Sequence, residues 1–231
     1  MRRFTLSKEN QMSKNVIIGV TPENICDLVT IPTPAADECV VLYMRHLPHK
    51  RPLKNVTPTS FLAFYETLGG ALQGHVKISA ACATPQPRSY SHLYAFCVGN
   101  GNMPEIRTEE RQDAVVGEGP EVVAKLKADA TADDSSIEVV FLGNDDFAEM
   151  RARRGAEGAE SLRELAATNC GKIVAQGGHG VSRMEISIAA LAGRDELLHM
   201  VDRGGWAILV IKNDGTLVSE SYVEFDLSRC E

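Results

Sequence analysis

The stretch WAILVIKNDGTLVSESYVEF, residues 206–225, decides how this chain is read. Its first six residues are apolar without alternation, the pattern of a strand covered on both faces. Asn213-Asp214-Gly215 then supplies the residue types that accept positive φ in a tight turn. The rest returns as a second strand. A hairpin marked this clearly belongs inside a sheet, where it fixes the register.

The segment before the hairpin extends the pattern. Residues 172–176 (KIVAQ) read as a strand that breaks at Gly177-Gly178-His179-Gly180. Residues 183–188 alternate, which predicts a further strand with Met184, Ile186 and Ile188 on one face. Residues 194–203 read as a short helix stopped by Gly204-Gly205.

Working outward, residues 38–44 (ECVVLYM) form a good strand, apolar on both faces. Thr57-Pro58 reads as a helix start, with Thr as N-cap and Pro at the first helical position. That helix runs through Phe61, Tyr65 and Leu68 and ends or frays at Gly69-Gly70. Residues 75–82 alternate as a half-buried strand, and residues 92–98 (HLYAFCV) read as its hairpin partner. Residues 137–142 (IEVVFL) read as another strand. Two helices follow, 145–154 and 157–168, separated because Gly155 and Gly158 each cost about 1 kcal/mol relative to Ala.

The expected fold is therefore α+β: a mixed, mostly antiparallel sheet with helices packed on one side, in which two β-α-β-β halves are one reading of the order. The expected organisation is a tail at 1–14, an α+β half at 15–100, a linker or surface excursion at 101–118, and a second α+β half at 119–231. The 44% hydrophobic and 24% charged fractions are those of an ordinary globular protein. No apolar run approaches the ~20 residues that span a bilayer, and the N-terminus lacks the apolar core of a secretory signal.

Net charge is −7, unevenly spread. Residues 1–100 hold ten Lys/Arg and six Asp/Glu, which leaves fourteen and twenty-five for the remainder. Bulk charge thus argues against generic nucleic-acid affinity. A basic half facing an acidic half instead suggests self-association or another protein partner. The six cysteines show no C-x-x-C pair and no zinc spacing. They fit reduced thiols in a soluble, cytoplasmic protein.

Three stretches could carry chemistry. The loop 176–183 (QGGHGVSR) is the strongest: Gln176, Gly177, Gly178 and Gly180 let backbone approach a ligand. Within it His179 could serve as acid or base, Ser182 as donor, and Arg183 as partner to a carboxylate or phosphate. It is not a phosphate-binding P-loop, because no Gly-Lys-Ser/Thr follows and the next segment reads as strand. The basic stretch 45–54 offers Arg45, His46, His49, Lys50, Arg51 and Lys54 to a partner protein or nucleic acid, but holds no aromatic residue for base stacking. Asn144, Asp145 and Asp146 read first as helix caps and second as a Mg²⁺ site. Neither a resident metal nor a cofactor is expected.

Standard catalytic motifs are absent from the sequence. The leading functional expectation is a non-enzymatic binding or assembly protein, homo-oligomeric. The alternative is a small-molecule enzyme acting on an anionic substrate through the 176–183 loop. A nucleic-acid-associated factor using residues 45–54 comes third.

Overall fold

The computed structural model describes residues 5–6, 15–47, 59–113, 118–132, 136–180 and 183–230. In chain order the elements are β1 (Thr5–Leu6), β2 (Val16–Val20), α1 (Ile25–Leu28), β3 (Glu38–Arg45), α2 (Thr59–Ala71), β4 (Ile78–Ala83), α3 (Pro87–Asn100) and β5 (Ile106–Thr108). Then come α4 (Pro120–Ala132), α5 (Ile137–Gly143), α6 (Ala148–Thr168), β6 (Lys172–Gly178), α7 (Met184–Leu191), β7 (Glu196–Leu197), β8 (Trp206–Lys212) and β9 (Leu217–Phe225).

The 206–225 hairpin forms as its sequence requires. Trp206 pairs with Val223 and Ala207 with Tyr222. Gly215 sits at φ 85°, a left-handed conformation that glycine adopts without a Cβ clash. Asp214 closes the turn by accepting from the Thr216 N–H at 2.9 Å.

The hairpin is one part of a seven-stranded sheet in the order β2-β9-β8-β3-β6-β4-β5. The α+β expectation with a mixed sheet holds. Its details are more specific. Four of the six pairings within this sheet are parallel among the described residues, and two are antiparallel. β3 is central, and its alternating side chains feed two cores. Val40, Leu42 and Met44 meet α2 and α3 together with Trp206 and Ile208. Cys39, Val41 and Tyr43 meet α6 and α7 together with Ala207 and Leu209. Helices thus cover both faces, which explains why β3 and β8 lack alternation.

Several segments differ from the sequence reading. Residues 92–98 lie in α3, not in a strand. Pro87 occupies the first turn, where its missing N–H costs nothing, and Leu93, Phe96 and Cys97 face the core. Residues 137–142 are helical in α5, where the Ser136 hydroxyl caps the Val139 N–H at 3.2 Å. Residues 184–191 form α7, buried on all sides at Met184 through Ala189, so their period carried no information. These helices stand where a β-α-β-β repeat needs strands, and the chain is not built as two such halves. Residues 194–203 hold β7 and turns in place of the expected helix. Thr57 and Pro58 lie outside the described residues.

The glycines inside α6 do not split it. Gly155 and Gly158 lie where α7 packs; a Cβ on Gly158 would overlap the Ser187 side chain, and one on Gly155 would press on the Ile186 carbonyl. Among the described residues no helix is long and apolar enough to cross a membrane.

Candidate active site

Parallel pairing brings the C-terminal ends of β3, β6 and β4 to one edge of the sheet. Arg45 is in register with Gly178, and Ala83 with Gly177. The next residues, His46, His179 and Thr84, therefore converge. The C-terminal edge of parallel strands is where α/β sheets present ligand-binding groups.

His46 and His179 face each other edge-on, with ring centroids 5.0 Å apart. Only 7% and 2% of their surfaces are exposed. The Nδ1 of His46 lies 2.8 Å from the Leu47 carbonyl oxygen. A carbonyl can only accept, so Nδ1 carries the hydrogen and Nε2 keeps its lone pair. The Nε2 of His179 lies 3.2 Å from the Thr84 hydroxyl, 3.3 Å from the Ser89 hydroxyl and 3.4 Å from Oδ1 of Asp113. A third histidine, His92, is fully buried one turn along α3 and donates from Nδ1 to the Arg88 carbonyl at 2.9 Å.

Burial keeps these imidazoles neutral. It pushes His179 down to about 4 against the opposing pull of Asp113, with Arg88 and Arg154 lowering it further. Burial also pushes His92 down to about 4. His46 is held well below 6.5, first by burial and then by the charges of His179 and Arg88. A depressed folded-state value means the unfolded chain binds more protons between pH 4 and 6.5. Stability is therefore full above about pH 6.5 and falls as pH drops toward 4, by about 1 kcal/mol per histidine per pH unit. Urea melts at pH 7 and pH 5 check this. His92→Gln is expected to flatten the loss, and an unchanged slope would refute the assignment.

Positive potential surrounds the pair. Arg88 and Ser89 occupy the first turn of α3, whose N-terminus points at the histidines. α7 starts just after His179, with the Met184 N–H bonded to the Gly180 carbonyl at 3.1 Å. The N-terminus of α3 and Arg88 thus meet the pair at one buried spot, a setting that favours an anion. Arg45 leaves the end of β3 toward the same segment. Its Nη1 donates to the Val201 carbonyl. Its Nε is buried against Gly180 with no hydrogen-bond partner among the described residues. An unsatisfied buried donor of this kind calls for a ligand.

The structure brings together His179, from the glycine-rich loop, and Arg45 and His46, from the basic stretch. The sequence reading had treated these as two separate sites. The glycines serve the protein's own packing: Cβ atoms on Gly177, Gly178 and Gly180 would overlap the Ser89 carbonyl, the Tyr43 ring and the Arg45 side chain. Gln176 is buried in β6 and donates to the Gly177 carbonyl at 2.9 Å. Arg183 is buried and gives its donors to the carbonyls of Asp113 and Arg154. Ser182, His49, Lys50, Arg51 and Lys54 lie outside the described residues. Asn144 is a cap, accepting from the Asp146 N–H at 2.9 Å, and Asp146 pairs with Lys125. Among the described residues no cluster suits a metal ion.

Sequence reasoning missed Thr84, Arg88, Ser89, His92 and Asp113. One signal was available: Arg45-His46 and Gly178-His179 each end an apolar run of the type that forms parallel strands. A separate cavity of about 400 Å³, lined by Ser79, Cys82, Arg107 and Lys172, lies at the opposite ends of β4 and β6 and is remote from the histidines.

No protein-family model matches the sequence, and no curated protein matches it. Solved structures do resemble the fold. Phosphoglycerate mutase from Bacillus anthracis str. Sterne superposes with a TM-score of 0.58 at 13% identity, covering 80% of this chain and 93% of its own. Bacillus stearothermophilus YhfR gives 0.56 at 15% identity, covering 78% and 94%. The protein histidine phosphatase SixA, complexed with tungstate, gives 0.50 at 9% identity, covering 80% and 96%. These likenesses overturn the expectation of a non-enzymatic, self-associating assembly protein: the fold is one that a mutase and a phosphatase share. The homo-oligomer and protein-binding expectations gain no support from these likenesses.

Proposed function

We propose that the chain is an enzyme that transfers or hydrolyses the phosphoryl group of a phosphate monoester, with His46 as nucleophile. The observation that carries this reading is the pair of buried, neutral histidines 5.0 Å apart at the ends of parallel strands, faced by Arg88 and the N-terminus of α3. The titles of the fold neighbours, a phosphoglycerate mutase and a histidine phosphatase, support the same class of substrate. This is the anionic-substrate alternative, moved from the glycine-rich loop alone to a site shared with β3.

In this reading the Nε2 lone pair of His46 attacks phosphorus. The bond from phosphorus to the leaving oxygen breaks, and that oxygen takes a proton from the carboxyl of Asp113. Arg88, Arg45 and His179 donate to the phosphoryl oxygens as charge builds on them. Water then attacks the phosphohistidine and returns a proton to Asp113. The P–N bond breaks, and inorganic phosphate leaves. A cytoplasmic placement belongs to the same reading and is supported by six cysteines that are all free.

The test combines turnover and trapping. Release of phosphate from p-nitrophenyl phosphate, with an acid-labile, base-stable phosphoryl group captured on the protein, is the expected result. Orthophosphate or tungstate should raise the melting temperature. Failure to release phosphate from a panel of monoesters would refute the reading.

A further inference from the structure

We propose that Arg154 and Arg183 are positioning residues that aim Asp113 at the leaving group, an inference that rests on the phosphoryl-transfer reading. Both arginines are 2% exposed. Arg154 projects from α6 and Arg183 stands at the head of α7, and both donate to one atom, the backbone carbonyl oxygen of Asp113. Arg183 also donates to the Arg154 carbonyl, which locks the two together. Arg154 reaches on to Glu118, and Arg183 lies 3.7 Å from Glu157.

The neighbouring residue is held as firmly. Gln112 is fully buried, accepts from the Tyr43 hydroxyl and donates to the Gly158 carbonyl at 2.9 Å. The missing side chain of Gly158 leaves the space that Ser187 fills, with the Arg183 stem at its margin. The main chain at 112–113 is thus gripped by β3, α6 and α7. The Asp113 carboxylate is left facing His179 at 3.4 Å, with Gln86 donating to its other oxygen at 3.3 Å.

Stability does not explain this arrangement. Two guanidinium groups lose their water to converge on one neutral carbonyl, with Glu118 and Glu157 compensating only from their far sides, and an apolar pair of similar volume would commonly be as stable. Burial and the neighbouring Arg154 charge depress Arg183 to about 10, so the pair is held against electrostatic cost. What the clamp gains is a fixed carboxylate, and displacement by about 1 Å can cost on the order of 10²-fold in rate.

A proton donor matters most when the leaving group is poor. The experiment therefore compares p-nitrophenyl phosphate, a good leaving group, with β-glycerophosphate, a poor one. Asp113→Asn sets the benchmark split, and His46→Ala reports separately whether the underlying reading holds. For Arg154→Lys and Arg183→Lys the expected kcat on β-glycerophosphate falls about 10- to 100-fold, while kcat on p-nitrophenyl phosphate stays within about threefold and KM is unchanged. Glu118→Gln, which keeps both arginines, should show a smaller split in the same direction and serves if the lysine variants do not fold. A parallel fall on both substrates would make the pair a structural brace and overturn the proposal, as would an unchanged ratio. Loss of the split with His46-dependent turnover intact sinks the clamp alone; turnover that survives His46→Ala sinks the reading beneath it.

Discussion

On the phosphoryl-transfer proposal, His46→Ala is expected to lower phosphate-monoester turnover by at least about 10⁴-fold, because no other group replaces the proposed nucleophile. The fold survives. The ring's Nδ1 donates to the Leu47 carbonyl at 2.8 Å, and the loss of such a bond costs about 1 kcal/mol. Circular-dichroism melts beside steady-state kinetics separate the two effects. A variant that keeps a tenth of wild-type activity would remove His46 from the chemistry.

The second large effect is on stability, and it starts from glycine. Helices α2 and α3 touch backbone to backbone at Gly69 and Gly99. A Cβ on Gly99 would overlap the Glu66 carbonyl, and one on Gly69 would overlap the Phe96 carbonyl and the Asn100 amide. These atoms are main chain and cannot rotate away. Gly99→Ala is expected to cost about 3 kcal/mol or more, a fall of roughly 6–12 °C in melting temperature for a chain of this size. Activity should fall as well, because α3 carries Arg88, Ser89 and His92. Gly143→Ala is the control: its Cβ meets nothing and its φ is ordinary, so it should be neutral or slightly stabilising. Equal behaviour of the two variants would show that the crossing does not depend on glycine.

The sequence made some of this visible for a physical reason. Strands β3, β6, β8 and β9 were legible because continuous apolar runs between glycine or asparagine turns have few other solutions. Helices α3, α5 and α7 were not. Each holds a short apolar run of the length a strand also uses, and α7 is buried all round, so neither period stands out. The 69–70 and 155–158 glycines read as breaks because their value lies in partners distant in sequence, Phe96 and Ser187. The site was half legible. His179 stood out through its glycines. His46 was noticed only as part of a basic stretch, since the sequence does not say that β3 and β6 lie side by side. Asp113 and Arg88 sit in segments without pattern and gain meaning only from the pairing of β3, β4 and β6.

That pairing also sets the order in which the molecule can be assembled. β3 is hydrogen-bonded on one side to residues 172–178 and on the other to residues 206–212. On a ribosome adding about 5–20 residues per second, the roughly 130 residues between β3 and β6 take about 7–26 s to appear. Through that interval the nascent chain displays one of its most apolar strands with neither edge occupied. A chain wired this way is expected to gain from a chaperone during synthesis, and a stop codon ahead of the final hairpin is expected to leave β3 with an open edge prone to aggregation.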